Sequence, residues 1–136
     1  MENIFELINN YKEKNTKDVF NKIVKITSQR LDYLSSLCSK YKGLNVFSSI
    51  LWCDWWELED ISEITDENIE FYARHIYAGE YETIIVPIHW FTISDEEFLN
   101  EIRDREIKII DTYIDKHQKT IDAFYNKKVE LENYNF

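Results

Sequence analysis

From Ile93 to Leu131 neither glycine nor proline interrupts the chain, and the stretch opens on "ISDEEF". Ser94 is placed to accept from the first amides of a helix, and Glu97, three residues on, to reach back to the Ser94 amide. Ile93 before the cap and Phe98 after it are placed to pack on each other. This is the pattern of a capping box with a hydrophobic staple, and Asp95 and Glu96 suit the positive end of a helix. Phe98, Ile102, Ile109, Tyr113, His117, Ile121 and Phe124 then recur at helical spacing. The spacing predicts a helix to about residue 131, roughly 50 Å long at about 1.5 Å per residue. A three-stranded sheet cannot cover such a length, so the helix is expected to pack on a second helix, on another subunit, or on both.

The N-terminal part has the same period. Ile4, Phe5, Leu7, Ile8 and Tyr11 predict a short first helix. Thr16 is placed to cap a second, in which Val19, Phe20, Ile23, Ile26, Leu34, Leu37, Cys38 and Tyr41 keep the rhythm until Gly43 ends it. The break falls at Lys14 to Thr16. Lys12, Lys17, Lys22, Lys25 and Arg30 mark the opposite, solvent-facing side.

Between the helical regions the period changes. "WWELEDISEI" mixes aromatic and β-branched residues with acids, "DEN" (Asp66 to Asn68) reads as a turn, and "IEFYARHI" alternates from Ile69 to Ile76. "YAGE" places Gly79 where a hairpin connection needs positive φ, and "YETIIVPI" supplies the partner strand. Pro87 lacks a donor and belongs at a strand end or an edge. The fold class is therefore α+β: an N-terminal helical hairpin, a three-stranded antiparallel sheet and a long C-terminal helix. At 136 residues, 44% apolar, the chain has the size of a single domain spanning 1–136, with a core of its own.

Charge is distributed unevenly. Residues 1–42 hold 5 acids and 8 bases, residues 54–101 hold 14 acids and one base, Arg74, and residues 102–136 balance 7 against 7. Such a domain is not expected to bind nucleic acid directly through a broad phosphate-neutralising surface. It suits a protein partner with a basic surface. No apolar run is long enough to span a membrane. The opening "MENIFELINNYKEK" lacks the basic and apolar regions of a secretory leader, so a cytoplasmic location is expected.

Candidates for chemistry are few. His75, His89 and His117 lie far apart, with no close ligand pair, and no metal or cofactor is expected. His117 reads as a spacer on the packing stripe and His89 as a cap at the sheet edge. Glycines at 43 and 79 alone make no phosphate loop. Cys38 and Cys53 read as small hydrophobes that stay reduced. No catalytic residue is assigned. Asp54, Glu57 and Glu59 would converge for Mg²⁺ chemistry only if their strand bulged, because strand neighbours alternate in direction.

The acidic middle gives the candidate interface: Asp54, Glu57, Glu59, Asp60, Glu63, Asp66, Glu67 and Glu70. In an extended strand Trp56 and Leu58 point to the core, whereas Trp55 falls among the acids. Trp55 is either covered by a helix or exposed as an aromatic anchor ringed by carboxylates. Tyr72 and Tyr81 are placed to stack across the hairpin. At the far end of the last helix, Phe124, Tyr125 and Leu131 outrun the second helix and form the expected oligomer interface, giving a homodimer with its acidic sheets outward.

The stretch "IEFYARHIYAGEYETIIVPIHWFTISDEEF", Ile69 to Phe98, resembles small uncharacterised proteins of bacteriophages and mobile elements, in which a hairpin ends in an "IP…W" segment and runs into a final helix. Gly79, Tyr81, Ile85, Pro87 and Trp90 carry the resemblance, over less than a quarter of the chain. It implies an accessory, host-interaction role and no catalytic assignment. Three functions stay open. The first is an acidic interaction module, such as a phage-type inhibitor or nucleic-acid mimic that binds a basic host surface. The others are a structural subunit of a homo-oligomer and a small Mg²⁺-dependent hydrolase.

Overall fold

The computed structural model describes residues 3–42, 44 and 56–134. The chain forms helix α1 (Ile4–Glu13), helix α2 (Lys17–Ser39), strands β1 (Trp56–Ile64), β2 (Asn68–His75) and β3 (Tyr81–Pro87), a 3₁₀ turn (Ile88–Phe91) and helix α3 (Asp95–Glu132). The expected α+β architecture, helical hairpin, antiparallel sheet and long final helix, is the one observed.

Local chemistry starts each helix. Asn3 Oδ1 accepts from the Glu6 amide at 2.9 Å while Glu6 Oε2 accepts from the Asn3 amide at 3.3 Å, a reciprocal box that the sequence reading did not identify. Thr16 Oγ1 accepts from the Val19 amide at 3.3 Å and opens α2 as expected. α2 ends at Ser39; the expected stop, Gly43, lies outside the described residues. Ser94 Oγ accepts from the Glu97 amide at 3.2 Å, but the return bond from Glu97 is not made, so only the forward half of the expected box forms.

The sheet has the order β1-β2-β3, both pairs antiparallel. Thr65 closes the first turn: its hydroxyl accepts from the amides of Glu67 and Asn68, and its own amide donates to the Asn68 carbonyl. The second connection is held by Gly79, at φ 69°, whose amide donates to the His75 carbonyl at 2.9 Å. That left-handed backbone is the reason glycine stands there. Pro87 ends β3, an edge strand, where its missing donor costs nothing.

One face of the sheet is core. Leu58, Ile61, Ile69, Phe71, Ala73 and Val86 pack with Leu7, Ile8, Ile23, Leu31 and Leu34 of the helical hairpin and with Trp90, Phe98 and Ile102. Strict alternation along β1 would put Leu58 and Ile61 on opposite faces. Register shifts after Leu58 and after Ile61 each add one residue, and so turn Leu58, Ile61 and Ile64 toward the helices together.

α3 departs from the single long packing stripe expected. Phe98, Ile102 and Glu106 are buried, Ile109 is half-buried, and every described residue from Ile110 onward is exposed. At 38 residues the helix is about 57 Å long, and among the described residues only its first third meets the other elements. His117, expected on the packing stripe, is in solvent. Among the described residues no helix is long and apolar enough to cross a membrane.

Candidate interaction surfaces

The bulges in β1 also build the open face of the sheet. Pairing sets Glu57 opposite Arg74, Asp60 opposite Tyr72 and Glu63 opposite Glu70, all on the side away from Leu58, Ile61 and Phe71. Arg74 lies between two carboxylates, with Nη2 3.9 Å from Glu57 and Nε 3.1 Å from Glu59; the second contact is too bent for a hydrogen bond and acts as an ion pair. Asp60 is close enough to Tyr11 of α1 to raise that phenol's pKa, adding to the larger effect of burial. Asp66 and Glu67 stand exposed in the turn at one end of this face. Asp54 and Trp55 lie outside the described residues, so the expected aromatic anchor has no structural account.

A second feature interrupts the acids. Tyr72 and Tyr81, diagonal neighbours on β2 and β3, stack with ring centroids 5.2 Å apart and planes 18° from parallel. Ile85, opposite Glu70, is 55% exposed on the same face. A stacked pair of phenols and a bare isoleucine, bordered by carboxylates and one arginine, therefore form one two-sided surface. Tyr72 and Tyr81 were legible as a cross-strand pair. Ile85 was not, because an exposed isoleucine in "YETIIVP" has the same local signature as a buried one.

The second surface is the outer part of α3. Phe124, Tyr125 and Leu131, the expected oligomer interface, are all exposed, and so are Ile107, Ile110, Ile114 and Ile121 nearer the domain. The surface is longer than its three predicted residues.

Sequence reading missed a polar junction where the 3₁₀ turn meets α2 and α3. Arg30, expected to face solvent, donates from Nε to the Trp90 carbonyl at 2.7 Å and from Nη2 to the Ile93 carbonyl at 2.9 Å. Its guanidinium also lies over the Tyr33 ring, and the Tyr33 hydroxyl donates to Asp95 at 2.7 Å. On the other side Glu101 accepts from Trp90 Nε1 at 3.1 Å and from Arg105 at 3.3 Å, and its second oxygen is 2.9 Å from His89 Nε2. His89 thus bridges the 3₁₀ turn to α3; it does not cap the sheet edge as expected. Apart from Arg105 with Glu101 and Arg30 with Tyr33, which are neighbours on one helix, these partners lie 11 or more residues apart in sequence, so no local spacing announces them.

Burial pushes the Glu101 pKa up, but hydrogen bonds from His89 and Trp90 and the nearby charges of His89 and Arg105 outweigh it, and the carboxyl sits below its usual range. A depressed carboxyl stabilises the fold above its unfolded pKa of about 4.3, and that contribution is lost as pH falls from there through the folded value. Glu101→Gln is therefore expected to be less stable than the parent at pH 7, with the gap narrowing between about pH 5 and pH 3. Urea unfolding across that range would show it; a gap independent of pH would mean that the charge of Glu101 contributes nothing.

The junction holds a turn in place, and the depression beside it, lined by Glu97, Asn100, Glu101, Asp104, Arg105 and Lys108, is shallow and open to solvent. Cys38 is buried, and burial, followed by the charge of Glu106, pushes its thiol pKa up, which keeps it protonated and unreactive. β1 does bulge near Glu57 and Glu59, but the guanidinium of Arg74 occupies the place a cation would take between them. Among the described residues no group of three or more His, Cys, Asp or Glu converges as a metal site.

Compared with known proteins, the chain matches no family model, no curated protein and no solved structure. The resemblance of residues 69–98 to phage and mobile-element proteins rests on its motif alone.

Proposed function

We propose that this protein is a non-enzymatic interaction module that offers the open face of its sheet to a basic protein surface. The observation that carries this reading is the joining, on one face, of Glu57, Glu59, Asp60, Glu63 and Glu70 with the stacked Tyr72–Tyr81 pair and exposed Ile85. Carboxylates steer a basic partner and select it by charge. Rigid aromatic and aliphatic side chains at the centre supply contact area that excludes water. This combination suits a nucleic-acid mimic or a phage-type inhibitor, because the apolar centre adds contact that salt does not screen.

The test uses the partner recovered with the intact protein from its host. Neutralising four acids together, Glu57→Gln, Glu59→Gln, Asp60→Asn and Glu63→Gln, is expected to weaken binding at least about tenfold. The melting temperature should hold. Losing the exposed pairs to Arg74 costs at most about 1 kcal/mol, and removing the Glu63 charge opposite Glu70 relieves a like-charge contact. Calorimetry showing an unchanged affinity would sink the proposal.

A further inference from the structure

The exposed apolar residues of α3 follow a period different from the buried ones. From Ile107 a row of eight positions at alternating steps of three and four, Ile107, Ile110, Ile114, His117, Ile121, Phe124, Lys128 and Leu131, carries six apolar side chains, with His117 and Lys128 at the other two positions and Val129 beside the row. The repeat is seven residues, with isoleucine at the first position of three successive heptads and Ile110, His117, Phe124 and Leu131 at the fourth. A spacing of 3.5 residues keeps a seam aligned only against another helix wound around it; a sheet or globular surface asks for the broader 3.6-residue stripe. The seam lies in solvent along its whole length: Ile114 is 60% exposed and Phe124 71%. Tyr113 and Tyr125 flank it and widen its apolar band. Within this chain, α1 and α2 pack on each other and on the sheet, and α2 meets only the buried start of α3, so neither covers it.

We propose that residues 107–131 pair with the same segment of a second copy as an antiparallel two-stranded coiled coil, with Ile114 facing Phe124 and His117 facing Ile121 of the other copy. Three considerations select this occupant and this direction. Six apolar side chains on each helix, each about half exposed, come to roughly 1,000 Å² in a pair, the size at which specific interfaces begin. When one helix is reversed the eight seam positions match end to end, Ile107 against Leu131 and Ile114 against Phe124, and each Lys128 meets Ile110 and not a second Lys128. In the parallel arrangement Lys128 would face its own copy across the seam. Finally, residues 54–101 carry 14 acids against one base; parallel helices would set these two acidic regions side by side, whereas reversed helices hold them at opposite ends. The flanking charges do not oppose this choice. Reversed, Glu106 meets Lys127 while Asp111 meets Glu132; parallel, Lys127 meets Glu132 while Glu106 meets Asp111. Each direction has one attractive and one repulsive kind of pair.

This inference stands apart from the acidic-face reading, and the test separates them because it involves no partner protein. Sedimentation of the full-length protein is expected to give twice the chain mass. Ile121→Asp should raise the dimer dissociation constant by about a hundredfold or more without changing the fold, since Ile121 is already in solvent in the single copy. Lys119→Asp, two residues away on the outer side of the helix, should leave the dimer intact. Direction is read from a spin label at Asn133→Cys in a Cys53→Ser background. Reversed helices place the two labels about 40 Å apart along the axis at about 1.5 Å per residue, and parallel helices bring them within about 20 Å, since packed axes lie about 10 Å apart. A monomer at all concentrations, a dimer unaffected by Ile121→Asp, or the short label distance would each overturn the proposal.

Discussion

Trp90→Ala is expected to lower the stability of the fold by about 3–5 kcal/mol, the range for truncating a buried tryptophan. Trp90 is 2% exposed and sits where the sheet hands the chain to α3. Its ring meets Phe98 edge-on at 5.3 Å, the Arg105 guanidinium lies over it at 5.4 Å, and its indole N–H donates to Glu101. Removing it opens a cavity between the 3₁₀ turn and α3 and takes one donor from a partly buried carboxylate. Against a total stability on the order of 5–15 kcal/mol, the loss should move the thermal midpoint down by roughly 10–20 °C. Trp90→Phe keeps most of the packing and loses the N–H, so it should cost only about 1–2 kcal/mol. Thermal melts followed by circular dichroism would check both. If Trp90→Ala melted within a few degrees of the parent, the turn would not be the anchor of α3.

Arg30→Ala is expected to cost about 2–3 kcal/mol, a large effect for a residue that is only half-buried. Its two donors reach the carbonyls of Trp90 and Ile93, on either side of the turn into α3, at 2.7 and 2.9 Å. Each charge-assisted hydrogen bond is worth roughly 1.5–3 kcal/mol, and water recovers part of that when the side chain goes. Arg30→Lys should recover less than half of the loss, because an ammonium is a point donor and cannot span both carbonyls with the fixed geometry of a guanidinium. Because Arg30 and Trp90 act on one junction, the double substitution should cost less than the sum of the two single ones. Chemical denaturation of the four proteins gives the coupling directly; strict additivity would show that the two residues hold separate parts of the fold.

These substitutions concern the connection on which both surfaces depend. The sheet fixes where the acids and the tyrosines sit, and the junction fixes the direction in which α3 leaves the domain. The acidic face and the seam of α3 are therefore connected through this one junction.

Local order was legible from neighbouring residues alone. Thr16 and Ser94 mark helix starts, Gly79 marks the left-handed turn and Pro87 the end of an edge strand. Each acts through bonds or torsions within a few residues, so the neighbouring sequence is enough to read it. The helical period likewise showed which side of α2 is buried, with Phe20, Ile23, Leu34 and Leu37 all in the core. Acids on the exposed side of β1 were legible for the same reason at Glu57 and Glu59. Tertiary structure decided the rest. One bulge in β1 turned Ile61 inward, which alternation alone would have sent out among the acids, and a second did the same for Ile64, because the packing of Leu58, Ile61 and Ile64 against the helices outweighed a regular ladder. Arg30 left the solvent side of α2 because two carbonyls 60 and 63 residues away needed donors. The extent of α3 that is covered depended on where the domain stops, which no periodicity encodes: an isoleucine at 102 is buried and one at 114 is in solvent. A side chain's pattern states which face it is on, and only the presence or absence of something opposite that face decides whether it is core or surface.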